Sequence, residues 1–343
     1  MPPEPRSSTQ DATRQNDRNL TLKAAVLEAM FEEMKIDENV ILIGEDVGAA
    51  GGVFKQTEGL FETFGADRVI DTPISESAIF GLSVGAAMAG SRPIVEVMFG
   101  DFLTLVMDQL VNQAAKVHYM SAGGFNVPLV LRTGIGVGGN LGPQHSQSLH
   151  AWLAHIPGLK VVMPSSAGDA KGLFKAAVRD NNPVIFMEDR MTYNLKEQVP
   201  AGEHVIPLDR AEVKRKGVEV SIFAVSRSVH TALAAAEKLQ EKSVSTEVVD
   251  LRTLAPLDVE TIVSSVRKTG RALVLDGGCQ SFGITGEIAA TIGELTFDYL
   301  DAPVMRLAAP DIPVPYSRSL ESLTIPSVDQ VVAKVAGMFG KLD

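Results

Sequence analysis

Short apolar runs alternate with helix-like segments through the first half of the chain, and this alternation limits the possible fold more than any other feature. The apolar runs are continuous, as in strands that are buried on both faces of a sheet. The strand-like runs are Val40–Ile43, Val69–Asp71, Pro93–Met98, Pro128–Arg132, Lys160–Met163 and Pro183–Glu188. The helix-like segments are Leu20–Met34, Glu76–Met88, Leu103–Tyr119, Ser146–Leu153 and Ala167–Arg179. The pattern predicts an α/β domain with a mostly parallel sheet that helices cover on both faces.

A second α/β alternation follows a break in the pattern. Residues 190–216 lack clear periodicity and include charged residues and Pro200. The later elements are predicted at Glu219–Val225, Thr231–Leu239, Thr246–Leu251, Val259–Arg267, Ala272–Leu275, Gly286–Phe297, Val304–Ala308 and Val328–Phe339. We therefore predict a disordered polar tail at 1–19, a first domain at 20–195, a linker at 196–216 and a second domain at 217–343.

Composition excludes several classes of protein. A net charge of -11 argues against a nucleic-acid binder, which would show a basic face. No stretch approaches the roughly 18 uninterrupted apolar residues of a membrane span, and the polar N-terminus does not have the apolar core of a secretory signal. The single cysteine, Cys279, is compatible with a reducing compartment. We expect a cytoplasmic protein that binds neither nucleic acid nor membrane.

Glu76 lies where an apolar strand is predicted to meet a helix. Ligands of open parallel sheets bind at this carboxyl end of the strands, and a carboxylate held there can exchange a proton with a ligand. A purely structural role is also open, because Ser75 is a good N-cap and an acid in the first turn favours the helix dipole.

His145 lies in the polar, glycine-rich segment Gly134–Gln147. Loop histidines are good functional candidates, since the imidazole titrates near neutrality. The segment is not a dinucleotide fingerprint, because the chain stays loop-like to about Gln144 and positions 150–160 contain no acid. His150 and His155 are five residues apart, which is poor spacing for a metal site on a helix.

Several motifs in order along the chain resemble the beta subunit of thiamine-diphosphate-dependent 2-oxoacid dehydrogenases, a family that includes pyruvate, branched-chain 2-oxoacid and acetoin dehydrogenases. The resemblance covers about residues 20–340 and implies a pyrimidine-binding domain followed by a C-terminal transketolase-like domain. The motifs are Gly44–Gly48, Val69–Glu76, Gln144–Gln147, His155–Val162, Arg179–Val184 and Ala309–Tyr316.

The resemblance implies roles for five of these residues. Glu76 corresponds to the glutamate that activates the cofactor through its pyrimidine ring nitrogen. Phe102 corresponds to the aromatic residue against the pyrimidine, with a core phenylalanine at the strand end as the alternative. Ile74 and Met98 match positions that line the same pocket, and both are equally plausible as core residues. His145 corresponds to a histidine that faces the substrate carbonyl and the incoming lipoyl group.

The same resemblance divides the metal sites between two chains. The family holds magnesium and the diphosphate with a Gly-Asp-Gly motif, and neither Gly100-Asp101-Phe102 nor Gly168-Asp169-Ala170 has the third glycine. We therefore expect no magnesium ligands here and a partner alpha subunit that supplies them. Ala177, Asp180 and Asn182 match positions that bind potassium in some relatives, with a plain helix-to-strand turn as the alternative.

The resemblance thus implies the beta subunit of a heterotetramer of two alpha and two beta chains, with contacts between the beta subunits. The assembled enzyme would decarboxylate a 2-oxoacid, or cleave acetoin, and pass the acyl group to the lipoyl group of an acyltransferase. Two alternatives stay open: a split transketolase-like enzyme acting on sugars, and a non-catalytic assembly subunit. The residues do not decide between pyruvate, branched-chain 2-oxoacids and acetoin.

Overall fold

The computed structural model describes residues 18–340. Its strands are β1 (Arg18–Thr21), β2 (Val40–Gly44), β3 (Val69–Asp71), β4 (Arg92–Phe99), β5 (Val130–Ile135), β6 (Lys160–Val162), β7 (Val184–Asp189), β8 (Lys196–Val199), β9 (Glu212–Arg215), β10 (Val220–Ala224), β11 (Thr246–Asp250), β12 (Thr253–Ala255), β13 (Ala272–Cys279) and β14 (Met305–Ala309). Its α-helices are α1 (Leu22–Ile36), α2 (Leu60–Phe64), α3 (Glu76–Met88), α4 (Leu103–Asp108), α5 (Val117–Met120), α6 (His150–Ala154), α7 (Ala167–Arg179), α8 (Arg227–Glu241), α9 (Val259–Thr269), α10 (Ile284–Thr296), α11 (Arg318–Glu321) and α12 (Val328–Ala336).

The first sheet has the strand order β12-β6-β7-β5-β4-β2-β3 and is parallel except for β12. Successive side chains of its strands point to opposite faces. In β2, Leu42 packs with α1 and α7 on one face, and Ile43 packs with α3 on the other. The predicted parallel sheet covered on both faces is confirmed.

The second sheet has the order β14-β13-β10-β11-β9, in which β9 alone is antiparallel to its neighbour. Helices α8 and α12 pack on one face, where Val229 and Val331 are buried, and α9 and α10 pack on the other. Two successive α/β domains therefore follow each other along the chain, as the two alternating patterns predict.

Several predicted segments differ in detail. The predicted tail lies outside the described residues apart from Arg18 and Asn19, which begin β1. The segment predicted as a linker begins with β8, which pairs with β1, and ends with β9, which joins the second sheet. The single helix predicted at Leu103–Tyr119 is wrong, because a π-helical stretch at Gln109–Ala114 separates α4 from α5.

Strand β12 connects the two halves of the molecule. It comes from the second half of the sequence but pairs with β6, with Thr253 opposite Val162. The ion pairs that Asp169 of α7 forms with Lys214 and Arg252 join the same two halves. The first sheet is thus completed by the part of the chain that builds the second. Among the described residues, no helix combines the length and apolar character needed to cross a bilayer.

Candidate active site

The carboxyl ends of five parallel strands lie side by side along one edge of the first sheet. The pairing registers place Gly44 of β2 beside Asp71 of β3, and Ile135 of β5 beside Asp189 of β7. Strand β4 lies between β2 and β5. The segments that follow these strands therefore meet at one edge, which is the usual ligand-binding edge of such a sheet.

Hydrogen bonds fix the junction of β3 and α3. The Thr72 amide donates to the Gly44 carbonyl at 3.0 Å, and the Gly48 amide donates to the Asp71 carboxylate at 2.7 Å. Helix α3 begins at Glu76, which is half-buried. The side chain of Ser75 makes no capping hydrogen bond, whereas Glu76 lies in the first turn of α3, where an acid favours the helix dipole.

A second carboxylate lies near enough to Glu76 for their charges to interact. Glu45 follows β2 and is half-buried. Burial raises the pKa of Glu45, and the nearby charges of Glu76 and Asp46 raise it further, against the opposing effect of the Ser75 backbone. The two strand ends thus bring a pair of glutamates together at the sheet edge.

Phe102 and His145 contact each other. The His145 ring lies edge-on to Phe102 with 5.5 Å between ring centroids and edge-on to Phe99 at 4.9 Å. Phe99 and Phe102 are themselves 5.6 Å apart. Such edge-to-face packing is favourable for aromatic rings, and it places the imidazole of the glycine-rich loop against the end of β4.

Phe99, Phe102 and His145 form an aromatic cluster. Arg190, directly after β7, packs against it. Its guanidinium lies 4.9 Å from the centroid of the Phe99 ring. It also donates to the carbonyls of Gly136 and His145 at 2.5 and 2.6 Å, while burial lowers its pKa. Arg190 therefore holds both ends of the loop that carries His145.

The other two predicted pocket residues, Ile74 and Met98, lie near the ends of β3 and β4, on the side of the sheet edge that is open to solvent. Ile74 is 81% exposed, so the alternative of a core residue is wrong for it, and Met98 is half-buried at the end of β4. The Ser77 hydroxyl donates to the Leu105 carbonyl at 3.1 Å, which ties the first turn of α3 to α4. Glu76 and Phe102 thus lie at the starts of two neighbouring helices.

Comparisons with known proteins decide the family. The model "Transketolase, pyrimidine binding domain" matches residues 18–196, and "Transketolase, C-terminal domain" matches residues 209–331. The chain is 45% identical over 336 residues to the acetoin:2,6-dichlorophenolindophenol oxidoreductase subunit beta of Bacillus subtilis, covering 94% of this chain and 98% of the relative. The 2-oxoisovalerate dehydrogenase subunit beta of the same organism is 47% identical over 307 residues, covering 89% and 94%.

This chain is a member of the beta-subunit family of thiamine-diphosphate-dependent 2-oxoacid and acetoin dehydrogenases. The pyruvate dehydrogenase E1 component subunit beta of Rhizobium meliloti is also similar, with 44% identity over 317 residues that cover 92% of this chain and 69% of the relative. The family predicted from the sequence motifs is confirmed.

A solved structure supports the fold of this beta subunit. A chain described as "Split gene transketolase, inactive beta4 tetramer" matches it with a TM-score of 0.77 and 20% identity, over 94% of this chain and 99% of that chain. At this identity the likeness shows the fold alone. The order of a pyrimidine-binding domain and a C-terminal transketolase-like domain is confirmed.

Asp101 and Asp169 belong to the two segments that partly match the Gly-Asp-Gly magnesium motif, and both aspartates bind other side chains of this beta subunit. Asp101 is buried and accepts hydrogen bonds from the amide and the side chain of Gln147 at 3.2 and 2.9 Å. Asp169 pairs with Lys214 and Arg252. Within residues 18–340, no group of three or more His, Cys, Asp and Glu side chains could hold a metal ion.

The residues predicted to bind potassium lie where α7 turns into β7. The Asp180 carboxylate pairs with Lys160 and accepts from the Asn182 side chain at 2.9 Å. Burial would raise its pKa, but these contacts outweigh that effect and lower it. The Asp180 carbonyl accepts from Arg92 at 3.0 Å, so cationic side chains already contact this turn. The site, which also includes Ala177, stays a prediction.

Sequence reasoning overlooked Glu45 and Arg190 in this beta subunit. Both directly follow buried strands that end at the same edge as β3 and β4. Their position just after an apolar run is a signal that could have identified them. His150, which the sequence analysis considered only as a metal ligand, is buried and lies 2.9 Å from Asp276 of the second domain.

Proposed function

We propose that this chain supplies the pyrimidine half of an active site that it shares with an alpha subunit. The assembled enzyme then decarboxylates a 2-oxoacid, or cleaves acetoin, and transfers the acyl group to the lipoyl group of an acyltransferase. The observation that carries the proposal is the glutamate pair next to the aromatic cluster at one sheet edge. Glu45 and Glu76 lie close enough there for their charges to interact, and Phe102 and His145 are in contact.

The residues at this edge fit the aminopyrimidine of thiamine diphosphate. A half-buried carboxylate, Glu76, can hold a proton at a ring nitrogen, and Phe102 offers a flat apolar surface for a heterocycle. Ile74 and Met98 add apolar surface at the open side. When bound, the cofactor supplies the carbon nucleophile that attacks the substrate carbonyl.

Glu45 limits charge repulsion beside Glu76. Burial and the neighbouring acids raise the pKa of Glu45, so it keeps its proton to a higher pH than an exposed glutamate does. The raised pKa makes it easier for Glu45 to take up a proton, which reduces the repulsion between these two half-buried carboxylates. We infer that Glu45 sustains the proton-transfer role of Glu76.

His145 is proposed to act on the substrate. Its ring lies in contact with Phe99 and Phe102, and its backbone is held by Arg190. A neutral imidazole in this position can donate a hydrogen bond to a substrate oxygen, and its protonated form can stabilise an oxyanion.

We propose an alpha subunit as the source of magnesium and of the diphosphate contacts. Exposure of Ile74 at the open side supports this, because an apolar residue at a ligand-binding edge is a suitable contact for a second chain. We also propose contacts between beta subunits, docking of the lipoyl-bearing acyltransferase, potassium at Ala177, Asp180 and Asn182, and a cytoplasmic location.

Co-expression with the alpha subunit tests the proposal. The purified pair is assayed with pyruvate, 2-oxoisovalerate and acetoin by reduction of 2,6-dichlorophenolindophenol, and then with a lipoyl domain as acyl acceptor. Glu76→Gln should lower kcat by about 100- to 10,000-fold, the usual contribution of a positioned acid–base group. The matched control is Glu62→Gln, an exposed acid in the short helix α2, which should retain full activity.

The other outcomes separate the alternatives. Full activity of a Glu76→Ala pair would contradict the catalytic role and support an assembly subunit. Transfer between sugars without any transfer to the lipoyl domain would support a transketolase-like enzyme.

A further inference from the structure

The loop Gly136–His145 does not determine its own conformation. Within these described residues one backbone–backbone hydrogen bond is seen, from the His145 amide to the Gly142 carbonyl at 3.4 Å. The backbone has positive φ at Gly136, Gly138, Asn140 and Gly142. A non-glycine residue such as Asn140 adopts this conformation at an energetic cost, so contacts from outside the loop must hold it.

The first domain holds the two ends of the loop. Arg190 donates to the carbonyls of Gly136 and His145. Just beyond the loop, Asp101 accepts from the Gln147 amide at 3.2 Å. The middle of the loop, from Val137 to Gly142, needs other partners.

The second domain supplies partners for the middle. Arg227, at the start of α8, donates to the Val137 carbonyl at 2.8 Å. One oxygen of Glu321 in α11 accepts from the Gly138 amide at 3.2 Å and from the Asn140 amide at 3.0 Å, and its second oxygen also accepts from the Asn140 amide at 3.2 Å. There is no space for a Cβ at Gly142, because the ring of Tyr316 lies against it.

Hydrogen bonds from the loop are the only ones that the Glu321 carboxylate accepts among the described residues, and the charge of Arg190 also acts on it. Glu321 is 3% exposed, and none of the salt bridges among the described residues includes it. A buried carboxylate is costly unless it accepts hydrogen bonds, and here loop amides provide them. The carboxylate and the loop therefore stabilise each other.

We propose that Glu321 is a positioning residue through which the second domain sets the loop of His145 in its active conformation. The inference rests on the proposed function, since it assigns the loop a role in that reaction. A misplacement of about 1 Å in a catalytic group can lower a rate about 100-fold, so the distant carboxylate can control turnover without contact with the substrate.

Two conservative variants separate the reach of the side chain from its charge. Glu321→Gln loses the charge and the longer bond from Asn140 to the second oxygen, but keeps an oxygen at the same distance from the Gly138 and Asn140 amides. Glu321→Asp keeps the charge but is one methylene shorter. The matched control is Asp258→Asn, also buried in the second domain and also an acceptor from two backbone amides, those of Ala211 and Thr261.

Each variant is co-expressed with the alpha subunit and measured by hydrogen exchange and by kinetics. In Glu321→Asp, we expect exchange of peptides spanning 136–147 to rise about tenfold or more, as a loop that loses its anchors opens more often. Its kcat should fall by about 10- to 100-fold, with the KM for thiamine diphosphate within about twofold of wild type. Glu321→Gln should stay within about threefold of wild type in loop exchange and kcat, because an amide oxygen still accepts both bonds.

The Asp258→Asn control and the comparison of the two Glu321 variants test the positioning role. Asp258→Asn should leave loop exchange and kcat at wild-type values. The proposal is overturned if Glu321→Asp leaves loop exchange unchanged, or if Glu321→Gln is the more impaired of the two. Hydrogen exchange does not depend on turnover, so this failure is distinguishable from an active Glu76→Ala enzyme, which would instead contradict the proposed function.

Discussion

Arg132 is the cation of a fully buried charge cluster in the first sheet. Its guanidinium lies 2.9 Å from the Glu96 carboxylate on β4 and 2.6 Å from the Glu188 carboxylate on β7. Burial alone would lower the pKa of Arg132, but the charges of Glu188 and Glu96 outweigh it and raise the pKa. Gln56 donates to Glu96 at 2.9 Å and adds a fourth member.

Arg132→Met should destabilise the protein strongly. The substitution leaves two buried carboxylates without their cation, which costs about 3–5 kcal/mol when one partner of a buried pair is removed. Urea unfolding measures the change in the free energy of unfolding. The control is Arg210→Met, because Arg210 and Glu260 form an exposed pair at 3.6 Å, and its effect should stay below about 0.5 kcal/mol. Equal effects of the two substitutions would contradict the importance of the cluster.

Glu188 makes stability depend on pH. Burial raises its pKa to about 7, against the opposing charge of Arg132. The pKa of an unfolded glutamate is about 4.3, so between these values the folded state binds more protons than the unfolded state. The contribution of Glu188 to the free energy of unfolding is therefore fully present below the pKa of the unfolded glutamate. It is lost as the pH rises to about 7.

Glu188→Gln should remove this pH dependence. The difference in unfolding free energy between wild type and the variant should fall as the pH rises from about 4.5 to about 7, and stay constant above that range. Urea unfolding at several pH values measures it. A difference that stays constant across the whole range would show that Glu188 does not titrate as described.

At the residue scale, the sequence predicted the site in part. The family motifs pointed to Phe102 and His145, which contact each other, and to Glu76, whose role stays a prediction. Glu45 and Arg190 were missed because their neighbours are set by the order of strands in the sheet. Their positions directly after apolar runs could be read locally, but the order of the strands depends on pairing between distant parts of the chain.

The glycine-rich loop is the element on which small changes should act most strongly. Gly142→Ala should lower activity, because the backbone φ of +70° is strained for alanine and the new Cβ would overlap the Tyr316 ring. The matched control is Gly202→Ala, with a φ of +77° and open space around the position. Dye-reduction assays and thermal melts of both variants separate backbone strain, which both share, from the displacement of the loop.

The expected result is a loss of kcat of about tenfold or more for Gly142→Ala, since displacement of a catalytic loop acts on the transition state. Gly202→Ala should keep its activity and lose at most about 1–2 kcal/mol of stability. Equal kcat values for the two variants would contradict a role of the Tyr316 contact in loop placement.

Elements with a clear local pattern were predicted well even when short, as strand β3 shows, whereas elements set by distant partners were not. Helix α7 has the predicted bounds, because its apolar spacing begins after Ser166, whose side chain accepts from the Asp169 amide at 3.1 Å. Strand β12 was missed because its partner strand lies far away in the sequence. The π-helical stretch at Gln109–Ala114 was missed because its apolar spacing is that of an ordinary helix.

At the scale of the whole molecule, Asp169 joins the two domains. It lies on α7 and is buried, and it pairs with Lys214 on β9 and with Arg252 after β11. Burial would raise its pKa, but the two cations outweigh this effect and lower it. The carboxylate therefore stabilises the contact between the domains.

Asp169→Asn should uncouple the domains during unfolding. The single tryptophan, Trp152, lies on α6 in the first domain, whereas circular dichroism reports on both domains. In wild type, the urea transitions followed by tryptophan fluorescence and by circular dichroism should coincide. In the variant, the midpoints of these two transitions should separate. Asp329→Asn, in an exposed pair with Lys238, should leave them coincident. Coincident midpoints in Asp169→Asn would show that other contacts suffice for coupling.

Strand β12 has a consequence for the synthesis of the chain on the ribosome. Strand β6 ends at Val162, and the strand that covers its outer edge begins at Thr253. The ribosome adds the intervening residues, about 90 of them, in roughly 5 to 20 seconds. During that interval the nascent first sheet has an open edge that another chain can extend. The period of greatest risk of aggregation thus falls after the first domain has been translated and before the second has folded.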